Sequence, residues 1–219
     1  MPTMGLNRIN KPEPLAKTAL KALRNSILKN DLNPGVIYNE KALARDLGIS
    51  RTPVREALLE LSSKRLVKFL PQKGVVINTF SPKEIQDVFD VRMALETYAI
   101  HKLCRQSPRV DTARVAASLK AQKEAARNND ARTFMDADRR FHMDLTTLAR
   151  NNYLMEMMND IRDIMHLMGY KALGLDGRMQ QVIREHEIVL NAVAAGDAHA
   201  ALEGMESHLA HSKAAVNQT

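Results

Sequence analysis

Residues Asn39 to Leu66 read NEKALARDLGISRTPVREALLELSSKRL, and their apolar spacing decides how the first third of the chain folds. Ala42, Leu43, Ala44 and Leu47 mark a short helix over about Asn39 to Leu47. Gly48 ends it, because a residue without a Cβ accepts the positive φ of a helix C-terminus. Ile49 points inward, and Ser50 stands where an N-cap opens a second helix with Arg51, Thr52 and Pro53 in its first turn. Proline is harmless there, since the first N–H groups of a helix have no intrahelical acceptor. Val54, Ala57, Leu58 and Leu61 then recur at i, i+3, i+4 and i+7, which makes one face core. Arg51, Thr52 and Arg55 face the other way, with Lys64 and Arg65 at the far end. A core-packed second helix with basic and hydroxyl side chains on its exposed N-terminus is a helix-turn-helix suited to a DNA major groove.

An ordinary helical hairpin with a solvated basic face would share much of this pattern. The residues that follow argue against it. Val67 to Leu70 is an apolar run, Pro71-Gln72-Lys73-Gly74 a turn, and Val75 to Ile77 a β-branched run. These predict a two-stranded wing with a basic tip.

Charge is distributed to match. The chain of 219 residues carries a formal +7, and its pI is about 9.6. Residues 1–78 hold 14 Lys and Arg against 6 Asp and Glu, whereas residues 79–219 hold 18 against 19. The excess positive charge therefore accompanies the helix-turn-helix, where it can displace counterions from phosphate. A membrane-surface domain would want an amphipathic helix with bulky aromatics, which this half lacks. Cys104 is the single cysteine, so an intrachain disulfide is excluded, in keeping with a reducing compartment. The first residues lack an apolar signal core, and no stretch approaches 18 uninterrupted apolar residues. These features predict a cytoplasmic protein with no membrane partner.

Residues 1–12 read as a polar arm, and Pro14 can begin a helix to about Asn30. Asp31 to Gly35 is a turn, and the wing closes near Asn78, so the expected domains are 1–78 and 79–219. Ser81-Pro82-Lys83-Glu84 has the form of a capping box with proline at N1. Helices are expected from there to about Arg105 and over about 109–128, 131–150, 151–169, 177–195 and 198–215, with a glycine-containing loop at Gly169 to Gly177. Nothing beyond Asn78 reads as a strand. The predicted fold is mainly α: an N-terminal winged helix-turn-helix and a C-terminal all-helical bundle.

Several polar side chains stand on apolar stripes of that bundle. Asp138 and His142 share a face with Phe134, Met135, Phe141 and Leu145. His186 sits among Val182, Ile183, Val189 and Leu190, and His208 beside Met205 and Leu209. Buried carboxylates and imidazoles need partners for every polar atom. A divalent metal satisfies all four at once, zinc first, with nickel, manganese or iron also suited to nitrogen and oxygen donors. The other histidines, His101, His166, His199 and His211, show no such grouping and read as surface or supporting residues. Arg92 also faces inward, either paired with Glu96 at i+4 or placed to take the carboxylate of a small organic acid. The methionines of the 151–169 helix could line an adaptable ligand pocket, form a partner face or simply fill core.

These residues resemble a known family. LARDLGISRTPVREAL with the Lys-Gly wing, VRMALE, DRRFHMDL and EHEIVLNAVAAGDAHAALEGMESHL are similar to the GntR family of bacterial transcription regulators, in its FadR-type branch with an FCD ligand-binding domain. The resemblance covers about residues 14–213. It implies a homodimer on a palindromic operator, answering to an effector in the helical domain. It also implies DNA contacts at Lys41, Ser50, Arg51, Thr52, Arg55, Lys73 and Gly74, metal ligands at Asp138, His142, His186 and His208, and an effector contact at Arg92. The chain departs from the family's pattern at Arg65, where relatives usually carry glycine. The expected function is a ligand-responsive regulator, read as a repressor and not an enzyme, with a small carboxylate effector held at a divalent metal. A metal sensor is the alternative, and a metalloenzyme with a DNA-targeting domain a weaker one, since His186 has no second histidine four residues on.

Overall fold

The computed structural model describes residues 13–106 and 109–219, so the arm expected at residues 1–12 lies outside the described residues. The chain divides into two compact units between Ile77 and Asn78, one residue from the boundary expected above.

In the first unit, α1 (Leu15–Leu28), α2 (Glu40–Asp46) and α3 (Arg51–Ser63) accompany three short strands, β1 (Ile37–Tyr38), β2 (Val67–Leu70) and β3 (Gly74–Ile77). Helix α1 packs on α3, burying Ala19, Leu23 and Ile27 on one side and Val54, Ala57, Leu58 and Leu61 on the other. Asn39 caps α2, its side chain accepting from the backbone N–H of Lys41 at 2.8 Å. Ser50 takes the extended backbone of an N-cap but makes no side-chain capping bond, which leaves its hydroxyl exposed.

The sheet has the order β1-β3-β2 and is antiparallel throughout, with Val67 opposite Ile77 and Leu70 opposite Gly74. Strand β1 is an addition to the expected hairpin. Two residues are too few for a periodicity to show, and only pairing with β3 (Ile37 with Val76, Tyr38 with Val75) reveals it. Gly74 closes the wing at φ +121°, with the backbone of β1 so near that a Cβ would collide with the Tyr38 carbonyl oxygen. Arg65, at φ +58°, holds the left-handed position that ends α3, which explains why glycine suits this place.

The second unit is helical: α4 (Pro82–Cys104), α5 (Ala113–Arg127), α6 (Ala131–Leu148), α7 (Asn152–Gly169), α8 (Arg178–Ala195) and α9 (Ala198–Val216). Its boundaries follow the local signals. Ser81 and Glu84 form the capping box in full, Asp130, Asn151 and Asp197 cap α6, α7 and α9 with their side chains, and Gly196 ends α8 at φ +72°. The Gly169 to Gly177 loop contains a 3-10 turn at Lys171–Gly174, and α5 begins at Ala113, later than expected. One core cluster includes Ile100, Leu103, Leu119, Phe141, Leu145, Val193, Met205 and Leu209, and a second Phe134, Met135, Leu173, Met179 and Val182. Each such large side chain contributes about 1.5–3 kcal/mol on leaving water, so the clusters hold α4, α5, α6, α8 and α9 rigidly around whatever lies between them.

Candidate metal centre and nucleic-acid interface

What lies between them is polar. His142, His186 and His208 are all buried, and they offer ring nitrogens within 4.8 Å of one another. Each arrives from a different helix because each occupies an apolar-stripe position of α6, α8 or α9, so hydrophobic burial carries the imidazoles inward. Phe141 stacks flat on the His186 ring, with centroids 3.9 Å apart, and holds its plane.

The Nδ1 atoms point outward to protein acceptors: His142 to Glu96 Oε2 at 2.5 Å, His186 to Gln122 Oε1 at 2.8 Å and His208 to Glu185 Oε2 at 2.8 Å. These partners assign the proton to Nδ1 in each ring, which turns all three Nε2 lone pairs toward a common centre. Nε2 of His186 and of His208 stand 3.4 Å apart, and with the protons on Nδ1 both present lone pairs. The Arg92 guanidinium lies beside them, its Nη2 3.5 Å from His208 Nε2.

Asp138 stands beside this centre, its Oδ1 3.9 Å from His142 Nε2 and 3.8 Å from His186 Nε2. Gln122 Nε2 donates to that same oxygen at 3.3 Å, and Oδ2 is paired with Arg162. Burial alone would raise the Asp138 pKa, but the Arg162 guanidinium overrides it and holds the carboxyl well below the usual carboxylate range. Burial pushes His142 and His186 well below the ordinary histidine value, helped at His142 by the Arg162 and Arg92 charges. His208 is lowered by burial against the opposing Glu185 bond. Neutral imidazoles, each with its far nitrogen held by an acceptor, and an ionised carboxylate are the protonation states a metal requires. The donor set fits a divalent ion.

Arg92 is 2% exposed, and the internal pair with Glu96 considered for it is present. Its Nε pairs with Glu96 Oε1 at 2.6 Å, while its Nη2 reaches in to His142 Nε2 at 2.9 Å. Beside the cluster a cavity opens, with Arg92, Asp138, Arg162, Arg178, His208 and Ser212 on its polar side and Met135, Met165 and Leu173 on the apolar side. Arg178 is engaged by Glu185 at 3.3 Å and Ser212 at 2.9 Å. Arg162 is different: its buried Nε and Nη1 have no hydrogen-bond partner among the described residues. Two donor nitrogens of a cation in a cavity wall are an unmet demand for an anion.

Sequence reasoning missed Gln122, Arg162, Arg178 and Glu185. A signal existed for two of them. Gln122 is the polar member of the stripe Val115, Ser118, Leu119, Gln122, Ala125, and Arg162 follows Met158 at i+4 on a buried face. His166, read as surface or supporting, is buried, and His211 joins the cluster's edge by bonding Glu185 at 2.8 Å. Met165 lines the cavity and Met158 fills core.

In the first unit, Arg51, Arg55, Lys73 and Gly74 line one open groove between α3 and the wing, together with Asn39, Glu40, Phe69 and Gln72. Lys41, Ser50 and Thr52 are exposed at the starts of α2 and α3, outside that lining.

A winged helix with a basic groove, followed by a helical bundle with a polar interior, is the architecture of a DNA-binding transcription regulator. The chain belongs to the GntR family of bacterial regulatory proteins: residues 15–77 match that family, and residues 87–211 match the FCD domain. An HTH-type transcriptional regulator of Agrobacterium vitis is 38% identical over 134 residues, covering 60% of this chain and 78% of that protein. The gluconate operon transcriptional repressor of Bacillus licheniformis is 25% identical over 193 residues, 85% of this chain and 78% of the relative. Among solved structures, a GntR transcriptional regulator from Rhodococcus sp. RHA1 superposes with a TM-score of 0.83 at 23% identity, covering 93% of this chain and 98% of that one. The chain is thus a transcription regulator and not an enzyme. Among the described residues, no helix is long and apolar enough to cross a membrane.

Proposed function

We propose that this protein is a homodimeric, cytoplasmic repressor that releases or tightens its grip on operator DNA when a small organic acid binds at a divalent metal in the FCD domain. The observation that carries the reading is the convergence of three Nε2 lone pairs whose Nδ1 atoms are all spoken for. Asp138, His142, His186 and His208 would hold the ion, zinc before nickel, manganese or iron. The ion supplies a positive centre that a carboxylate can join. Arg92 lies within hydrogen-bond reach of the cluster, and Arg162 has two donor nitrogens unsatisfied among the described residues, so both favour an anionic effector.

On the DNA side, the reading assigns contacts to Lys41, Ser50, Arg51, Thr52, Arg55, Lys73 and Gly74, all at the exposed starts of α2 and α3 or at the wing. Exposed Val91 and Tyr98 on α4, and Tyr153 and Met157 on α7, offer apolar surface for a second copy on two helices that pack together. The domains divide as 1–78 for DNA and 79–219 for metal, effector and dimerisation. Relatives named as repressors favour repression.

The test is His142→Ala in the full-length protein. Metal content by mass spectrometry and the response of DNA binding to organic acids should be lost together, with the helical fold retained. A variant that keeps both would remove the site. If stripping and restoring the metal alone switches operator binding, the ion is the signal, which is the metal-sensor reading.

A further inference from the structure

We propose that Glu40 positions Arg55, converting it from a mobile phosphate contact into a fixed reader of a base edge; the inference rests on the reading of Arg55 as a DNA contact. Among the described residues, Glu40 is the one acidic side chain lining the groove between α3 and the wing. A carboxylate there is unfavourable on electrostatic grounds, since it faces the phosphates of any bound duplex. What it does in return is hold Arg55. Both carboxylate oxygens lie on the same guanidinium nitrogen, Nη1, at 3.1 and 3.3 Å, which leaves Nη2 and Nε to donate elsewhere. On the other side the Phe69 ring lies under the guanidinium, 5.9 Å from Cζ to the centroid.

The clamp is itself built into the fold. Glu40 stands in the first turn of α2, where the unsatisfied N–H groups favour a carboxylate, and Asn39 caps that turn. Its side chain is 13% exposed against 60% for Arg55, so the acid is the fixed partner and the arginine the presented one. Phe69 sits on β2 opposite Val75 of β3, so its place is set by the wing's register. Arg55 is therefore held from α2 and from the wing at once. A long side chain ordered before binding loses less freedom on meeting its target. Two remaining N–H donors in a fixed plane match the O6 and N7 acceptors of guanine in the major groove. With its charge balanced by Glu40, Arg55 adds little to the nonspecific grip. Its contribution is to discrimination.

The experiment uses full-length protein and a duplex obtained by selection from a random pool with the unmodified chain, compared with a shuffled duplex of equal composition. Fluorescence anisotropy measures both affinities for Glu40→Gln, Arg55→Ala and the double variant, and thermal melts check folding. Glu40→Gln should lower the ratio of selected to shuffled affinity about tenfold while binding to the shuffled duplex stays equal or tightens. In the Arg55→Ala background the same change should move the ratio less than about twofold. Glu40→Asp keeps the charge at the helix terminus but withdraws it from Nη1, and should lower the ratio too, which covers any loss of α2 in the glutamine variant. A full ratio in both Glu40 variants, or an equal loss with and without Arg55, overturns the proposal. An unchanged ratio in Arg55→Ala overturns the base contact beneath it instead.

Discussion

Replacing Gly74 with alanine should unfasten the wing. At φ +121° an L side chain is strained, and its Cβ would meet the Tyr38 carbonyl oxygen and carbon, which are backbone atoms and cannot swing aside. The strand pair must part to relieve the clash. That pair holds Ile37 opposite Val76 and Tyr38 opposite Val75, and it is continued by Gly35 N–H donating to the Ile77 carbonyl at 2.9 Å. Losing about two ladder hydrogen bonds, at about 1 kcal/mol each, and adding about 1 kcal/mol of backbone strain gives about 3 kcal/mol against the winged unit. Gly48→Ala supplies the control. Gly48 also has a positive φ, +67°, but nothing lies within 4 Å of its would-be Cβ, so only the strain of about 1 kcal/mol applies. Urea unfolding followed by circular dichroism, with anisotropy on DNA, reads both variants. The helical unit should keep its stability in each. Equal destabilisation by the two alanines would refute the steric argument, since it would leave the close approach of β1 with no energetic consequence.

Gln122→Leu should weaken metal binding by about 10–100-fold, the usual effect of removing a ligand's outer partner, because His186 loses the acceptor that fixes its tautomer; competition with a chromogenic chelator measures it, and an unchanged affinity would show that stacking on Phe141 suffices. Acid should destabilise the metal-stripped protein. His142 and His186 have folded pKa values well below the unfolded value near 6.5, so the unfolded state binds more protons as pH falls below 6.5, and stability is lost through that window at about 1.4 kcal/mol per pH unit for each. Asp138 and Glu185, both lowered, add their own loss only at more acid pH, below the ordinary carboxylate values of 3.8 and 4.5. Calorimetry between pH 7.5 and 5.5 checks this, and a flat midpoint for the helical unit would contradict the buried neutral imidazoles.

Much of this molecule was legible from local pattern. Helix boundaries at Ser81, Gly196 and Asp197 follow from side chains that bond their own neighbouring backbone, a matter of a few residues. The three histidines and Asp138 could be placed inside a bundle because a 3.6-residue period says which face is apolar, whatever packs on it. Periodicity says nothing of what stands opposite. That Asp138 meets Arg162 of α7, that Gln122 of α5 turns His186, and that Glu185 joins His208 to His211 depend on how helices distant in sequence are rotated and stacked. The same holds for β1, whose two residues become a strand only when β3 lies beside them, and for Glu40, an ordinary first-turn acid until α3 brings Arg55 against it. Local chemistry decided which groups are buried and which are charged; only tertiary packing decided which of them meet, because a hydrogen bond needs its partner within about 3 Å and the chain's local geometry constrains nothing at that range beyond a turn or two.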